Sequence, residues 1–152
     1  MNIEEFERVL AGVAVAIEVR MREALERGAV MIEREAKREI GHYQGAVGPL
    51  PRWRPLQPST LREKARLGYS SPANPLPRTG GLRCSIKHSV SGPGDAIEAR
   101  VGVNGVVAVV QERGGGHVPA RSYLERAARR KEDAVVREVS RLVAAALGIR
   151  AR

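Results

Sequence analysis

Cysteine is nearly absent from this chain: Cys84 stands alone among 152 residues. One thiol cannot close an intramolecular disulfide, so the fold must rest on packing, and such usage fits a reducing compartment. Aromatic residues are also scarce, limited to Trp53, Phe6 and three tyrosines. With so few of them, and with no helix-turn-helix or zinc-finger spacing, specific base readout is not expected. His42, His88 and His117 lie on separate segments with no ligand spacing among them or with Cys84, so no metal site is expected. Gly114-Gly115-Gly116-His117 lacks the Lys-Ser/Thr of a phosphate loop and reads as a hinge, and no cofactor motif stands elsewhere. Long apolar runs are missing too. Leu10 to Ile17 is too short to span a bilayer, and the acidic start Met-Asn-Ile-Glu-Glu is not a signal-peptide n-region; no membrane partner is expected.

What the chain has in excess is positive charge, a net +9. It is unevenly spread. Residues 41–89 carry Arg52, Arg54, Arg62, Lys64, Arg66, Arg78, Arg83 and Lys87 against Glu63 alone. Residues 113–152 carry ten basic residues against Glu125, Glu132, Asp133 and Glu138. Such a surplus is either a solvated arginine-rich face or a sign of proximity to a polyanion, bound without sequence preference.

Residues 2–40 read as helix. Ile3, Phe6, Leu10, Val13, Ile17, Met21, Ala24, Gly28, Ile32, Ala36 and Ile40 recur at steps of three or four and make one apolar stripe. Gly12 and Gly28 mark places for a kink, a break or a close helix approach. Unbroken, the helix would be about 60 Å long at about 1.5 Å per residue, so most of its stripe is expected to pack in the core and part of it is left to face another subunit. Gly41 to Arg52, with three glycines and two prolines, reads as a mobile loop. Trp53 and Leu56 anchor an extended arm. Thr60 and Glu63 have capping-box spacing for a short helix over 60–67, in which Leu61, Ala65 and Leu67 form the apolar side and Gly68 ends it. Pro72, Pro75 and Pro77 keep the following connector extended. Thr79-Gly80-Gly81 is expected to turn.

The segment 82–112 reads as an antiparallel sheet. Cys84, Ile86, His88 and Val90 alternate with polar residues over Leu82 to Val90, which makes Cys84 a small core residue. Ser91-Gly92-Pro93-Gly94-Asp95 is a turn, and Ile97, Ala99, Val101 and Val103 alternate again. Asn104-Gly105 is a hairpin signal. Val106 to Val110, apolar throughout, reads as a third strand covered on both faces. A last helix is expected over about 121–147, capped by Gly148. The fold expected is a single α+β domain: a long N-terminal helical region and a C-terminal helix packed on an antiparallel sheet of three to four strands.

The order of elements in the middle of the chain is distinctive. Trp53, Pro55, Leu56, Pro58, Ser59, Thr60, Leu61 and Lys64 are followed by Pro75, Leu76, Thr79, Gly80, Leu82, Ser85 and Ile86. A second block comprises Gln111-Glu112-Arg113-Gly114-Gly115 and Val118-Pro119-Ala120-Arg121-Ser122-Tyr123-Leu124. Together they resemble the virion-morphogenesis (tail-completion, head–tail joining) family of Mu-like tailed phages, over roughly residues 50 to 145. Ser122-Tyr123 replaces that family's usual Pro-Phe, and Arg113 stands where an aromatic is common.

The resemblance implies a structural protein of the virion neck rather than an enzyme. It implies a homo-oligomeric ring, a hexamer, between connector and tail-tube proteins, with double-stranded DNA passing nonspecifically through the lumen. It also implies assembly in the host cytoplasm and residence in the virion. Trp53, Leu56, Glu112, Arg121 and Tyr123 are the candidate interface residues, with no catalytic, cofactor-binding or metal-binding residues among them. The alternatives are a nonspecific nucleic-acid-binding protein and, more remotely, an enzyme whose site is assembled from dispersed residues.

Overall fold

The computed structural model describes residues 2–76 and 80–149. The elements in order are α1 (Ile3–Glu39), α2 (Pro58–Arg66), α3 (Gly81–Ser85), β1 (Lys87–Ser91), a 3-10 turn (Gly94–Ala96), β2 (Glu98–Gly102), α4 (Val106–Arg113) and α5 (Leu124–Ala146). The class is mixed helix and sheet, as expected, with the long first and last helices in place. The sheet is smaller than expected: β1 and β2 form a two-stranded hairpin rather than three to four strands.

Local chemistry sets the helix ends. Asn2 and Glu5 form a reciprocal capping box at the start of α1: the Asn2 N–H donates to Glu5 Oε2 at 3.0 Å and the Glu5 N–H to Asn2 Oδ1 at 2.8 Å. The box expected at Thr60 and Glu63 does not form. Pro58, whose fixed φ suits a first helical turn, starts α2 two residues earlier, after an extended Gln57, so Thr60 lies inside the helix. Its buried residue is Lys64, while Ala65 and Leu67 are exposed. The helix does end at Gly68. Gly68 N–H donates to Ala65 O and Tyr69 N–H to Lys64 O, the paired bonds of a Schellman stop. The same pair closes α5 through Gly148 and Ile149.

Three expectations on the sheet fail. Residues 81–85 are helical, so Cys84 is exposed on α3 and not a core residue. Asn104-Gly105 leads into α4 and is not a hairpin turn. The Val106–Val110 run is helix, with Ala108 buried and Val106, Val107 and Val109 exposed. The real hairpin turns through Gly92, where a Cβ would meet Ala96 O at 2.1 Å and φ is +96°. Of the expected Thr79-Gly80-Gly81 turn, Thr79 lies outside the described residues, as does Pro77 of the connector.

The chain divides into two compact units. One comprises Met1–Met31, His88–Arg100 and Glu132–Arg152. In it the hairpin meets α1 along a ladder four residues apart. Glu18 Oε1 accepts from Gly94 N–H at 3.3 Å, Arg22 donates to Gly92 O at 2.9 Å, and Glu26 lies 2.7 Å from His88 Nε2. α5 comes close to α1 at Gly28, where a Cβ would sit 2.9 Å from Val135 Cγ1, so this glycine is a close approach. Beside it Glu138 bonds Arg141 and Arg27, which hold its carboxyl down at about 2.

The other unit comprises Ile32–Lys87 and Val101–Lys131 and holds the largest core cluster: Ala36, Ile40, Trp53, Ile86, Tyr123 and Ala127. Gly41–Arg52, expected to be mobile, is tied down here. Val47 and Leu50 exchange backbone bonds, and Trp53 N–H donates to Gln44 O at 3.0 Å. Arg126, fully buried, donates to the carbonyls of Gly45, Pro51 and Ser122 and so fixes the loop to α5.

Candidate functional site

The corner from Gln111 to Leu124 is the best-defined constellation in the second unit. α4 ends at Gly114, which has φ +78° and no room for a Cβ: it would come 2.9 Å from Ala120 N and 3.1 Å from Val118 O. The next residues close rather than hinge. Gly115 and Val118 exchange N–H···O bonds of 3.0 and 2.9 Å, and Arg121 N–H donates to Gln111 O at 2.7 Å. The three glycines therefore build a tight, bonded turn, in place of the loose hinge expected.

Glu112 then reaches from the end of α4 to the start of α5. Its carboxylate accepts from the N–H groups of Tyr123, Leu124 and Glu125 at 2.8, 2.9 and 3.0 Å. The first N–H groups of a helix lack intrahelical acceptors and carry its positive dipole end, so an anion here satisfies both bonding and charge. Tyr123 is fully buried and its hydroxyl donates to Ala108 O at 3.2 Å. Burial, with Glu112 nearby, pushes the Tyr123 hydroxyl up to about 12.

Next to this corner lies a cleft of about 920 Å³. Leu56, Leu76, Leu82, Val107 and Val118 supply apolar wall, and Lys64, Arg83 and Arg121 supply charge. Lys64 is buried and fixed by a 2.6 Å bond from Nζ to Asn74 O. Arg121 is only 5% exposed. One terminal nitrogen donates to Arg54 O at 3.3 Å, while its Nε has no acceptor among the described residues. Burial lowers its pKa, opposed only by the Tyr43 hydroxyl. Gln111 Oε1 is likewise buried without a donor among the described residues.

Of the five residues singled out from sequence, Leu56 and Arg121 line the cleft. Glu112 and Tyr123 join α4 to α5, and Trp53 is a core residue at 4% exposure whose indole N–H has no acceptor among the described residues. Trp53 and Tyr123 are thus packed within their own chain.

Sequence reasoning missed a buried charge cluster. Glu35 and Glu39, one turn apart on α1, are both buried. Arg130 reaches Glu35 at 3.5 Å and Glu39 at 3.2 Å, and Lys131 reaches Glu35 at 3.3 Å. Among the described residues neither Glu39 carboxylate oxygen has a hydrogen bond of good geometry, so the Arg130 contact is an ion pair by distance alone. Burial accordingly wins and pushes the Glu39 carboxyl up to about 7, against Arg130 and Arg126. Only the four-residue spacing of the acids hinted at this cluster. Among the described residues no group of acids, histidines and cysteines is arranged to hold a metal, and no helix is long and apolar enough to cross a membrane. No family model, curated protein or solved structure matches the chain.

Proposed function

We propose that the protein is a structural component of a phage virion: a tail-completion protein that forms a homo-oligomeric, hexameric ring at the head–tail junction. Connector and tail-tube proteins are its neighbours, and double-stranded DNA passes through the ring without sequence recognition. Its work is association, not catalysis. The ordered motif blocks around Trp53 to Ile86 and Gln111 to Leu124 support this reading. The observation that carries it is the presented face of α4. Val106 and Val107 are 79% and 71% exposed, on a helix held in place by Tyr123 and Glu112. Apolar side chains displayed from a fixed element suit a protein interface.

The test is genetic and visual. Phage lacking this chain should yield full heads and finished tails that remain separate in electron micrographs, and adding the purified protein should join them. Intact, infectious particles without it would refute the reading. The nucleic-acid-binding alternative is separated by titration. The neck reading expects weak DNA binding that falls steeply with salt. Tight binding that discriminates among sequences would favour the alternative.

A further inference from the structure

The cleft in the second unit sets positive charge against an apolar wall. Among the described residues that line it there is no Asp or Glu, whereas Lys64, Arg83 and Arg121 all contribute, with the imidazoles of His42 and His117. Arg121 carries the argument. A guanidinium buried to this degree costs free energy unless a counter-charge and hydrogen-bond acceptors are supplied. Its own chain supplies one backbone carbonyl at 3.3 Å and leaves Nε unpartnered among the described residues. A carboxylate from outside would meet Nε and pair with the fixed charge. The unpartnered Gln111 Oε1 would accept an N–H from the same ligand. Val107 lines the cleft and is exposed, with exposed Val106 beside it on α4.

A complementary element exists on the other unit of the same chain. The first turns of α1 expose Ile3, Phe6 and Leu10, and Glu4 and Glu7 lie among them with no ion pair in their own chain among the described residues. This end is held in helical form by the Asn2–Glu5 box, so little ordering is left for binding to supply. We infer that the first turns of α1 of a second copy dock in this cleft, with Glu4 or Glu7 on Arg121 and Ile3 and Phe6 against the α4 valines. A cleft of about 920 Å³ is at the upper end of sizes that enclose a compact ligand. The contact is head-to-tail: each copy offers a different surface to its two neighbours, an arrangement that gives a ring when its rotation closes. The inference rests on the ring reading above and names its subunit contact.

The experiment is sedimentation velocity of the full chain over a concentration series. Wild type should associate. Glu4→Gln combined with Glu7→Gln changes only exposed side chains, and Val107→Glu places a charge at the exposed wall of the cleft. Each variant should weaken self-association on the order of tenfold or more, with unchanged helix content by circular dichroism. Arg121→Met should do the same, but its burial risks the fold, so the two exposed variants decide. Mixing those two variants is diagnostic. One retains a sound cleft and the other a sound α1 end, so the mixture should form dimers and nothing larger. A wild type that stays monomeric at every concentration would overturn the inference. So would variants that assemble like wild type, even if the protein still joins heads to tails, in which case the neck reading stands and this contact does not.

Discussion

The two ends of α1 carry the same apolar period and meet opposite fates. From Ile3 to Val19 the large apolar residues Phe6, Val9, Leu10, Val13 and Val15 are exposed. Further on, Ala24, Ala29 and Ala36 are buried, and Ile40 just beyond the helix is buried with Trp53, Ile86, Tyr123 and Ala127. Periodicity selects a face, but burial requires a cover, and the cover comes from distant segments of sequence. The C-terminal half of α1 has that cover. Its N-terminal turns do not, and this is why they are the part proposed to dock on a neighbour.

The sharpest way to break this comparison is to truncate one large side chain at each end. Trp53→Ala should lower stability by about 3–5 kcal/mol in urea denaturation, because it opens a core cavity. Phe6→Ala, at a position 49% exposed, should move the monomer's midpoint by no more than about 0.5 kcal/mol while weakening self-association. Equal effects at the two sites would erase the distinction. Glu112→Ala comes next. It leaves three N–H groups at the start of α5 without their acceptor, and should cost about 2–3 kcal/mol by the same measurement. An unchanged midpoint would show that water replaces the carboxylate.

Glu39 provides a test in pH. Its carboxyl is raised from 4.5 to about 7 in the folded chain. A raised carboxyl pKa means that the folded state holds the proton longer than the unfolded one. The associated stability is fully present below about 4.5, is lost as pH rises through about 7, and is level above that. Glu39→Gln cannot ionise. Its stability minus that of wild type should therefore climb by about 2–3 kcal/mol between pH 4.5 and 8. A difference that stays flat across this range would mean that Arg130 and Arg126 already neutralise the carboxylate.

The smallest effect separates two glycines of α1. Gly12 has open space around its Cβ position, whereas a Cβ at Gly28 would meet Val135. Gly12→Ala should stabilise by about 0.5–1 kcal/mol through helix propensity alone. Gly28→Ala gains the same propensity but crowds a stiff valine, with an expected net loss of about 1 kcal/mol. Thermal melts in which both variants gain equally would exclude the close approach of α1 and α5.

The long helices were legible because their apolar stripes recur over many turns, and Gly68 and Gly148 were legible because a glycine after a helix has few other roles. The β1–β2 hairpin was legible from its alternation. α4 was not. Four valines in five residues read as strand, and a short apolar run has too few turns to show helical period. Its helical form is supported by contacts elsewhere in the sequence, from Tyr123 to Ala108 O and from the α5 amides to Glu112. The polar parts of the structure hid for a different reason. Arg121, Arg126, Lys64 and Glu39 look like solvated charge in a sequence already rich in arginine, and only the fold shows that they are buried. The corner from Gln111 to Leu124 was located, but not the cleft beside it, whose walls come from segments as far apart as Leu56 and Val118.

The Glu112 clasp also bears on the order in which the chain acquires structure. Its bonds, with that of Tyr123 to Ala108, span 11 to 15 residues. The bonds that hold the hairpin and α5 to α1 span 62 to 111. Loop-closure entropy grows with span, so short spans close at lower cost and sooner. In pulsed hydrogen exchange during refolding, the amides of Tyr123, Leu124 and Glu125 should gain protection before those of Gly94 and its neighbours; simultaneous protection would argue against a head start. The α4–α5 corner is then among the first parts of the chain to stand, and its exposed valine face takes shape while the longest connections are still open.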